Sequence, residues 1–361
     1  MLMFVLRRIG VMILTALALT FIVFYMTNLP PNLEKLAKSE ASVRMADDAV
    51  VSWLEENGYT GPVLQRYGEW LGVLPGWTRM DDSGTLRGRC INDRIDAVEV
   101  PSHCGILQGN WGFSTVFKQP VSEVLARSLG ATGWLMVWVM IVMVPTSLLL
   151  GVMSGMREGS RTDRVLSTFA IATTATPEYV SGVILIAVLA SATAGVSPML
   201  AEAGWISGKT LFPGTATSAM EDITFWNFAL PVATIALYGI GYIARMTRAS
   251  MTEVMTQQYI RTARLKGVSF RQVVMRHALR NALIAPFTVI MLQFPWLLNG
   301  VVIVETLFNY KGFGWTLVQA AGNNDIDTLL ACSVVAVFVV LVTQLISDIG
   351  YVFLNPRIRL A

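Results

Sequence analysis

The chain has 361 residues, of which 54% are hydrophobic and only 14% charged, with a formal net charge of +3. Its mean hydropathy is strongly positive, at +0.56. This composition is typical of a membrane protein, because a soluble domain of this size carries far more charge, and no nucleic-acid partner is expected.

Six apolar runs are each long enough to cross the roughly 30 Å hydrocarbon core of a bilayer, which takes about 20 helical residues. They are residues 9–29, 131–156, 166–192, 225–243, 283–304 and 329–353. Because a bilayer offers no water to backbone groups, each run is predicted to be a helix. The expected fold is an all-α membrane protein with six transmembrane helices. The first run is too long for a signal peptide and ends without a small-residue cleavage site, so a retained anchor is expected.

The basic residues indicate how the six helices are oriented. If the N-terminus is cytoplasmic, more than half of the 27 Lys and Arg residues lie on the cytoplasmic side. The acidic residues on that side are Glu158, Asp163 and Glu253. Short cytoplasmic loops carry an excess of basic residues, so both termini are predicted to be cytoplasmic. The predicted regions are an N-terminal transmembrane helix (1–29), a periplasmic subdomain (30–129) and a five-helix core (130–361) with a cytoplasmic loop (244–282).

The segment 30–129 is too long for an unstructured loop in a compact protein, so it is predicted to fold as a small external subdomain. Val50, Val51 and Leu54 recur at helical spacing and predict a helix around residues 47–56. Cys90 and Cys104 are expected to form a disulfide if this segment lies in an oxidising compartment, and to be free thiols otherwise. A single nearby histidine makes a metal site a weak hypothesis.

Polar residues inside apolar runs are costly in lipid and mark candidates for the lining of a pathway or gate. The candidates are Glu178, Gln293, Asn299 and Glu305. Glu178 follows Pro177, which is expected to kink the third helix. The alternatives for Glu178 are a hydrogen bond to a neighbouring helix or a position nearer the membrane surface. Glu305 lies at the external end of the fifth run, where an outer gate or receptor docking is the hypothesis.

The chain offers nothing on which to place catalysis. Gly208-Lys209-Thr210 resembles the end of a phosphate-binding loop, but Ala203 stands where that motif needs glycine. Two histidines and no nucleophile–base arrangement leave no enzymatic site. No cofactor is expected in this chain.

The basic loop after the fourth apolar run carries the strongest functional signal. Residues 251–266 favour one helix, Gly267 is suited to end it in a left-handed conformation, and Ser269 with Gln272 predicts a capping box for the next. Ala263 and Gly267 are four residues apart, which predicts a small-residue notch that another backbone could approach. The alternative is a basic loop that faces lipid headgroups.

The sequence of this loop resembles the cytoplasmic coupling motif of ABC importer permeases of the dipeptide and oligopeptide transport family. The resemblance rests on Arg261-Thr-Ala-Arg-Leu-Lys-Gly267, on Arg276-His-Ala-Leu-Arg-Asn-Ala282, and on motifs spread over nearly the whole chain. The further motifs are Arg7-Arg8-Ile, Asn110-Trp-Gly-Phe-Ser, Gly159-Ser-x-x-Asp163-Arg164, Pro177-x-Tyr179 and Glu305-x-x-Phe308-x-x-x-Gly312-x-Gly314. The external segment looks longer than is usual in the family.

The resemblance implies a permease subunit of an ATP-driven importer for peptides or similar small solutes, in a bacterial inner membrane. It implies four kinds of partner: a second homologous permease subunit, two nucleotide-binding ATPase subunits that bind ATP and Mg, a periplasmic solute-binding protein, and membrane lipid. The residues that it assigns to ATPase docking are Arg261, Thr262, Ala263, Gly267 and His277. Metal chelates, glutathione-like molecules and glycosides stay open as cargo.

Two other classes of protein remain as alternatives. A stand-alone channel needs a recognisable filter or charged ring, and an ion-coupled carrier tends to show inverted repeats. Neither feature is visible in the sequence. A membrane anchor that presents the external segment explains one apolar run and leaves five without a role.

Overall fold

The structure is a computed structural model and is mostly helical. It describes residues 2–40, 45–80, 86–91 and 101–354, and the side chains of all of these except residues 2–5, 86, 294–300 and 351–354. The chain divides into two compact units. The first, here the aromatic unit, comprises Leu2–Ser128 and Thr316–Phe338; the second, here the helical unit, comprises Leu129–Trp315 and the described part of Val339–Ala361.

The aromatic unit contains one long helix followed by short helices and a small hairpin. Its elements are α1 (Leu2–Thr27), α2 (Pro30–Glu40), α3 (Asp47–Glu56), α4 (Val63–Leu71), and the antiparallel strands β1 (Thr78–Met80) and β2 (Leu86–Gly88). Helix α3 confirms the helix predicted around residues 47–56. Most of the predicted external segment lies in this unit, which also contains α1 and Thr316–Phe338.

Aromatic rings form the core of the aromatic unit. Phe24 of α1 packs against Tyr67 and Trp70 of α4, with ring centroids 5.4 and 5.5 Å apart. The Tyr67 hydroxyl also lies 2.7 Å from the Thr20 hydroxyl of α1, so its polar tip is satisfied. Cys90 and Cys104 form a disulfide with their Cα atoms 5.4 Å apart, as predicted.

The helical unit is built from the remaining long helices and a cluster of short ones. In chain order these are α5 (Val121–Gly155), α6 (Arg161–Ala175), α7 (Glu178–Leu189), α8 (Val196–Glu202), α9 (Phe225–Met255), α10 (Gln258–Leu265), α11 (Phe270–Gln272), α12 (Leu279–Ala282), α13 (Ile284–Leu307), α14 (Phe313–Gly322) and α15 (Ile326–Leu354). A π-helix, Val273–Ala278, connects α11 to α12. Helices α5, α14 and α15 have residues in both units.

Helix α9 lies at the centre of the helical unit. Within its apolar stretch, 72% of the residues are buried, and α6, α7 and α13 pack against it. Its Ile235 and Ile243 are fully buried with Leu135 and Met143 of α5. A side chain at Gly239 would collide with the Met143 sulfur, because an added Cβ would lie 2.1 Å from it. The absence of a side chain there therefore allows α5 and α9 to approach closely.

Four helices in the described part of the chain are long and apolar enough to cross a membrane, and the bent pair α6 and α7 brings the number to five if the pair forms one broken span. The four are α1, α5, α9 and α15, and they correspond to the first, second, fourth and sixth predicted runs. The fifth predicted run, residues 283–304, corresponds to α13, a 24-residue helix. The chain is therefore a multi-pass helical membrane protein.

The third predicted run is not one kinked helix but two helices, α6 and α7, at an angle of 109°. The break falls at Thr176 and Pro177, both with extended backbone at ψ angles of 121° and 146°. Proline disfavours helical backbone in the residue before it, and its ring carries no N–H to donate. The expected kink thus understated the effect of Pro177, and Glu178 becomes the first residue of a new helix.

Candidate functional site

Helix α10 forms the centre of the basic loop, with one face packed inward and the other exposed. Ile260 and Ala263 are buried and belong to a cluster of seven buried residues that includes Met251, Val273 and Ala278, and five of the seven are fully buried. The predicted continuous helix 251–266 is wrong, because α9 ends at Met255 and α10 begins at Gln258. The break lets α10 turn its apolar face onto the chain's own short helices.

The outer face of α10 carries both basic and apolar side chains. Arg261, Thr262 and Arg264 are exposed, and Leu265 keeps 81% of its surface accessible. We call these four residues, with Tyr259, the outer face of α10.

Gly267 has the conformation that the sequence predicts, with a positive φ of +79° directly after the end of α10. It is exposed, and a Cβ added to it would meet no atom within 4 Å. Ala263, in contrast, is only 8% exposed and packs within this chain. The two small residues therefore do not line one open notch, and the small size of Ala263 is explained by its own packing.

The residues after Gly267 hold the loop in place. Ser269 precedes α11 as predicted, but the capping box is wrong: its hydroxyl donates to the Gln272 side chain at 3.2 Å and caps no backbone N–H. The ring of Phe270 lies under two guanidinium groups, those of Arg157 at 5.3 Å and Arg264 at 5.8 Å. Such cation–π contacts stabilise by about 0.5–1 kcal/mol at exposed sites.

His277 lies on the π-helix and is exposed, together with Arg276. The amide of Asn281 donates to the Tyr259 hydroxyl at 2.9 Å, which connects α12 to the first turn of α10. His277 is thus available to a partner on the same loop as α10.

Sequence reasoning missed a buried ion pair that fixes the loops next to α10. Asp163, at the start of α6, is 3% exposed and receives the Nε and a terminal nitrogen of Arg248 at 2.6 and 2.8 Å. The Ser154 and Ser167 hydroxyls donate to the same carboxylate at 2.5 and 3.0 Å. The backbone N–H of Gly159 also donates, at 2.8 Å. One carboxylate thereby joins the end of α5, the start of α6 and α9.

The signal for this network was present in the sequence. The motif Gly159-Ser-x-x-Asp163-Arg164 is one of those on which the resemblance in the sequence rests, and Ser160 has the type and spacing of a helix cap. In the structure the Ser160 hydroxyl accepts the backbone N–H of Asp163 at 3.1 Å. The partner Arg248 is 85 residues away along the chain, which no local pattern could identify.

Glu305, the predicted gate or receptor-docking residue, is fully buried near the end of α13. The Thr132 hydroxyl of α5 donates to one carboxylate oxygen at 2.5 Å, and the Trp315 N–H donates to the other at 3.1 Å. A Cβ added at Gly312 would lie 2.1 Å from the first of these oxygens. The carboxylate therefore organises the loop between α13 and α14, and its burial leaves it no surface on which a receptor could dock.

Two of the other predicted pathway residues have a buried polar atom without a hydrogen-bond partner in the described part of the chain. These atoms are Oε1 of Glu178, at the start of α7, and Nε2 of Gln293, in α13. The two helices pack against each other. Unsatisfied polar atoms are expensive in an apolar interior, which makes these two side chains candidates for the lining of a polar route. The Asn299 side chain lies outside the described side chains.

Metal chemistry has no candidate site in the ranges that the structure describes, since no three His, Cys, Asp or Glu side chains there are grouped to hold an ion. Cys332 of α15 is free and buried.

Comparison with known proteins identifies the family. Residues 147–360 match the binding-protein-dependent transport system inner membrane component family. A probable peptide ABC transporter permease protein of Sinorhizobium fredii is 34% identical over 256 residues, which are 70% of this chain and 77% of the relative. The glutathione transport system permease protein of Escherichia coli K12 is 31% identical over 253 residues, 70% of this chain and 76% of the relative.

Among solved structures, a crystal structure of an amino acid ABC transporter with histidines matches 64% of this chain and 94% of its own, with a TM-score of 0.47 and 14% identity. The family match spans more than half of the chain, and it includes α10, Asp163 and Glu305. This chain belongs to the family of inner membrane components of binding-protein-dependent transport systems.

Proposed function

We propose that this chain forms half of the translocation pathway of an ATP-driven importer for peptides or similar small solutes in a bacterial inner membrane. Its family is that of the transmembrane permease component, which works with ATPase and substrate-binding components. The cargo class is supported by the relatives whose names specify peptide and glutathione transport.

The proposed topology has six membrane crossings with both termini in the cytoplasm. Four single helices, the bent pair α6–α7 and the 24-residue α13 supply the six crossings. The basic residues of the loops around Arg157 and α10 support their cytoplasmic placement. The segment 30–129 then lies outside the cell membrane, where its Cys90–Cys104 disulfide is chemically favoured.

The proposed contact with the energy-supplying partner is the outer face of α10. Its inner face is anchored by Ile260 and Ala263, so a push on its exposed side chains moves the short helices with it. Two nucleotide-binding ATPase subunits bind ATP and Mg in this proposal, and this chain binds neither. Four of the predicted docking residues are exposed and available for contact: Arg261, Thr262, Gly267 and His277. The fifth, Ala263, is buried on the inner face and helps to anchor the helix.

The proposed pathway runs along the region of Glu178 and Gln293, with Asn299 on the same helix as Gln293. A second, homologous permease subunit supplies the other half. Helices α1, α5 and α15 support this arrangement, because only 11–28% of the residues in their apolar stretches are buried within this chain. Their remaining apolar surface is available to lipid and to a second subunit.

The observation that carries the proposal is the anchored, outward-facing α10 in a chain of this family. The experiment is to tag the chain, extract it gently from its native membrane, and identify the co-purifying proteins by mass spectrometry. We expect a second multi-pass permease and one or two nucleotide-binding subunits. Recovery of the chain alone, together with passage of solute in liposomes without ATP, would favour a channel or carrier and refute the importer.

A further inference from the structure

The aromatic unit contains a cavity that transport, as described above, does not use. Its volume is about 60 Å³, and both guanidinium and carboxylate groups line it. Its polar lining residues include Asn28, Tyr59, Arg66, Glu69, Arg89 and Asp327, and apolar side chains complete the lining. All of them belong to the aromatic unit, so the cavity is complete within it.

Two buried N–H donors at this cavity lack an acceptor among the described residues. They are the Nε atoms of Arg66 and Arg89. Arg66 is 93% buried, at 7% exposure, and one of its terminal nitrogens donates to Asn28 Oδ1 at 3.0 Å. A buried donor without an acceptor costs about 1–3 kcal/mol, more if it is charged, so an acceptor supplied by a ligand would be favourable.

Burial also leaves the charge of Arg66 incompletely compensated. Desolvation lowers the pKa of the Arg66 guanidinium, although Tyr59 and Glu69 act in the opposite direction. Burial raises the pKa of Tyr59, so this phenol stays neutral and contributes no anion. An incoming carboxylate would therefore meet two guanidinium groups that have unused hydrogen-bonding capacity.

The cavity is not suited to a simple anion. Its lining also includes the carboxyl groups of Glu69 and Asp327, so acidic as well as basic side chains face a ligand there. An anion would be repelled by these carboxylates, whereas an ammonium group next to the ligand carboxylate would be attracted. Charge balance thus favours a zwitterion.

The size of the cavity restricts the ligand further. One water molecule needs about 10–15 Å³ of cavity volume. The cavity of about 60 Å³ therefore has room for about four or five atoms the size of a water oxygen. Aromatic side chains, including Trp70 and Trp77, close its walls. A small amino acid matches this volume, and a longer peptide does not.

Covalent structure holds one of the two arginines in place. Arg89 precedes Cys90, which is bonded to Cys104, and its backbone N–H donates to the Trp77 carbonyl at 3.0 Å. The Trp77 ring in turn covers Gly58, where an added Cβ would lie 2.4 Å from the indole nitrogen. This wall of the cavity is therefore fixed by a disulfide and by close packing.

We propose that this cavity is a binding site for a small zwitterionic amino acid, with Arg66 and Arg89 binding its carboxylate and Glu69 and Asp327 facing its ammonium group. The site contains no residue of the basic loop. Its occupancy is measurable without transport, so the proposal does not depend on the cargo of the importer.

The test uses the full chain purified in detergent, with glycine as the probe and acetate as the matched anion at equal ionic strength. We expect saturable glycine binding by calorimetry, a rise in the thermal denaturation midpoint at saturation, and weaker binding of acetate. Arg89→Gln is the main variant, because it leaves the bond between Arg66 and Asn28 intact. It should weaken glycine binding at least about tenfold, since it removes a charge-assisted hydrogen bond.

Arg79→Gln is the matched control, since Arg79 lies exposed on β1 of the same hairpin and does not line the cavity. It should bind glycine as the unaltered chain does. Arg66→Lys keeps the charge and removes the Nε donor, so it gives a second reading if Arg89→Gln folds poorly, and it too should weaken binding. Three results would overturn the proposal and leave a water-filled cavity. They are an absence of saturable glycine binding, tighter binding of acetate than of glycine, and glycine binding by Arg89→Gln and Arg66→Lys that is as tight as in the unaltered chain.

Discussion

The buried carboxylate of Asp163 accepts five hydrogen bonds. Arg248 donates two of them, the hydroxyls of two serines donate one each, and the backbone N–H of Gly159 donates the fifth. The Arg248 side chain keeps 30% of its surface exposed. The pair is therefore intermediate between an exposed ion pair, which contributes about 0–1 kcal/mol, and a buried one, whose disruption costs about 3–5 kcal/mol. The single side chain of Asp163 thus connects three helices, α5, α6 and α9.

Replacing this junction should destabilise the helical unit. We predict that Asp163→Ala lowers the free energy of unfolding by about 2–3 kcal/mol, because the partly buried guanidinium of Arg248 loses its ion-pair partner. The measurement is the thermal denaturation midpoint of the purified chain in detergent. Glu158→Ala is the control, since that carboxylate is 58% exposed and 3.9 Å from Arg248, and it should leave the midpoint nearly unchanged. Equal midpoints for the two variants would contradict the role of Asp163.

Helix α10 has one face that anchors it to the rest of the chain and another face that is free to contact a partner. Ile260 and Ala263 fix the helix to the chain, and Leu265 and Arg261 remain exposed. Gly267 follows the helix in a left-handed conformation that costs an ordinary residue about 1–2 kcal/mol. An added side chain meets only open space within this chain, so its bulk would be felt by a partner.

This difference separates docking from backbone strain. Gly267→Trp and Gly267→Ala share the strain of the positive φ angle, but only tryptophan adds bulk on the exposed side. We predict that Gly267→Trp reduces the amount of nucleotide-binding subunit that co-purifies with the chain at least about tenfold, and that Gly267→Ala reduces it little. Both variants should reach the membrane at normal levels. Equal recovery of the partner with tryptophan and alanine would remove the basis for docking at this loop.

Elements that depend on local chemistry were predictable from the sequence, and those that depend on distant contacts were not. Helix α3 follows from the spacing of Val50 and Leu54, and the Gly267 conformation follows from glycine's tolerance of positive φ. Pro177 marked the place of the break, but its 109° angle exceeded the predicted kink, because a proline in the sequence does not specify the angle between the two helices that it separates. The burial of Ala263 and Glu305 arises from tertiary contacts that a motif does not encode.

At the scale of the whole molecule, the burial of its long helices is uneven. Helix α9 is mostly buried inside the chain, while α1, α5 and α15 keep most of their apolar residues exposed. Lipid covers such surface without cost, and small-residue or polar contacts with another subunit add to it. Long helices that leave most of their apolar residues exposed are suited to a chain that is part of a larger membrane complex.

The most direct test of the central claim is a cross-link from the outer face of α10 to a nucleotide-binding subunit. Leu265→Cys places a thiol at a position that is 81% exposed, and the native cysteines that the structure describes are either paired in a disulfide or buried. Leu64→Cys, at a position of 71% exposure on α4, is the matched control in the proposed external segment.

With a reagent that carries a maleimide for the introduced thiol and a photoreactive group that inserts into C–H bonds of a neighbouring protein, we predict that Leu265→Cys in native membranes yields a covalent adduct with the nucleotide-binding subunit and that Leu64→Cys yields none. An adduct from both positions, or from neither, would contradict the assignment of α10 as the docking helix.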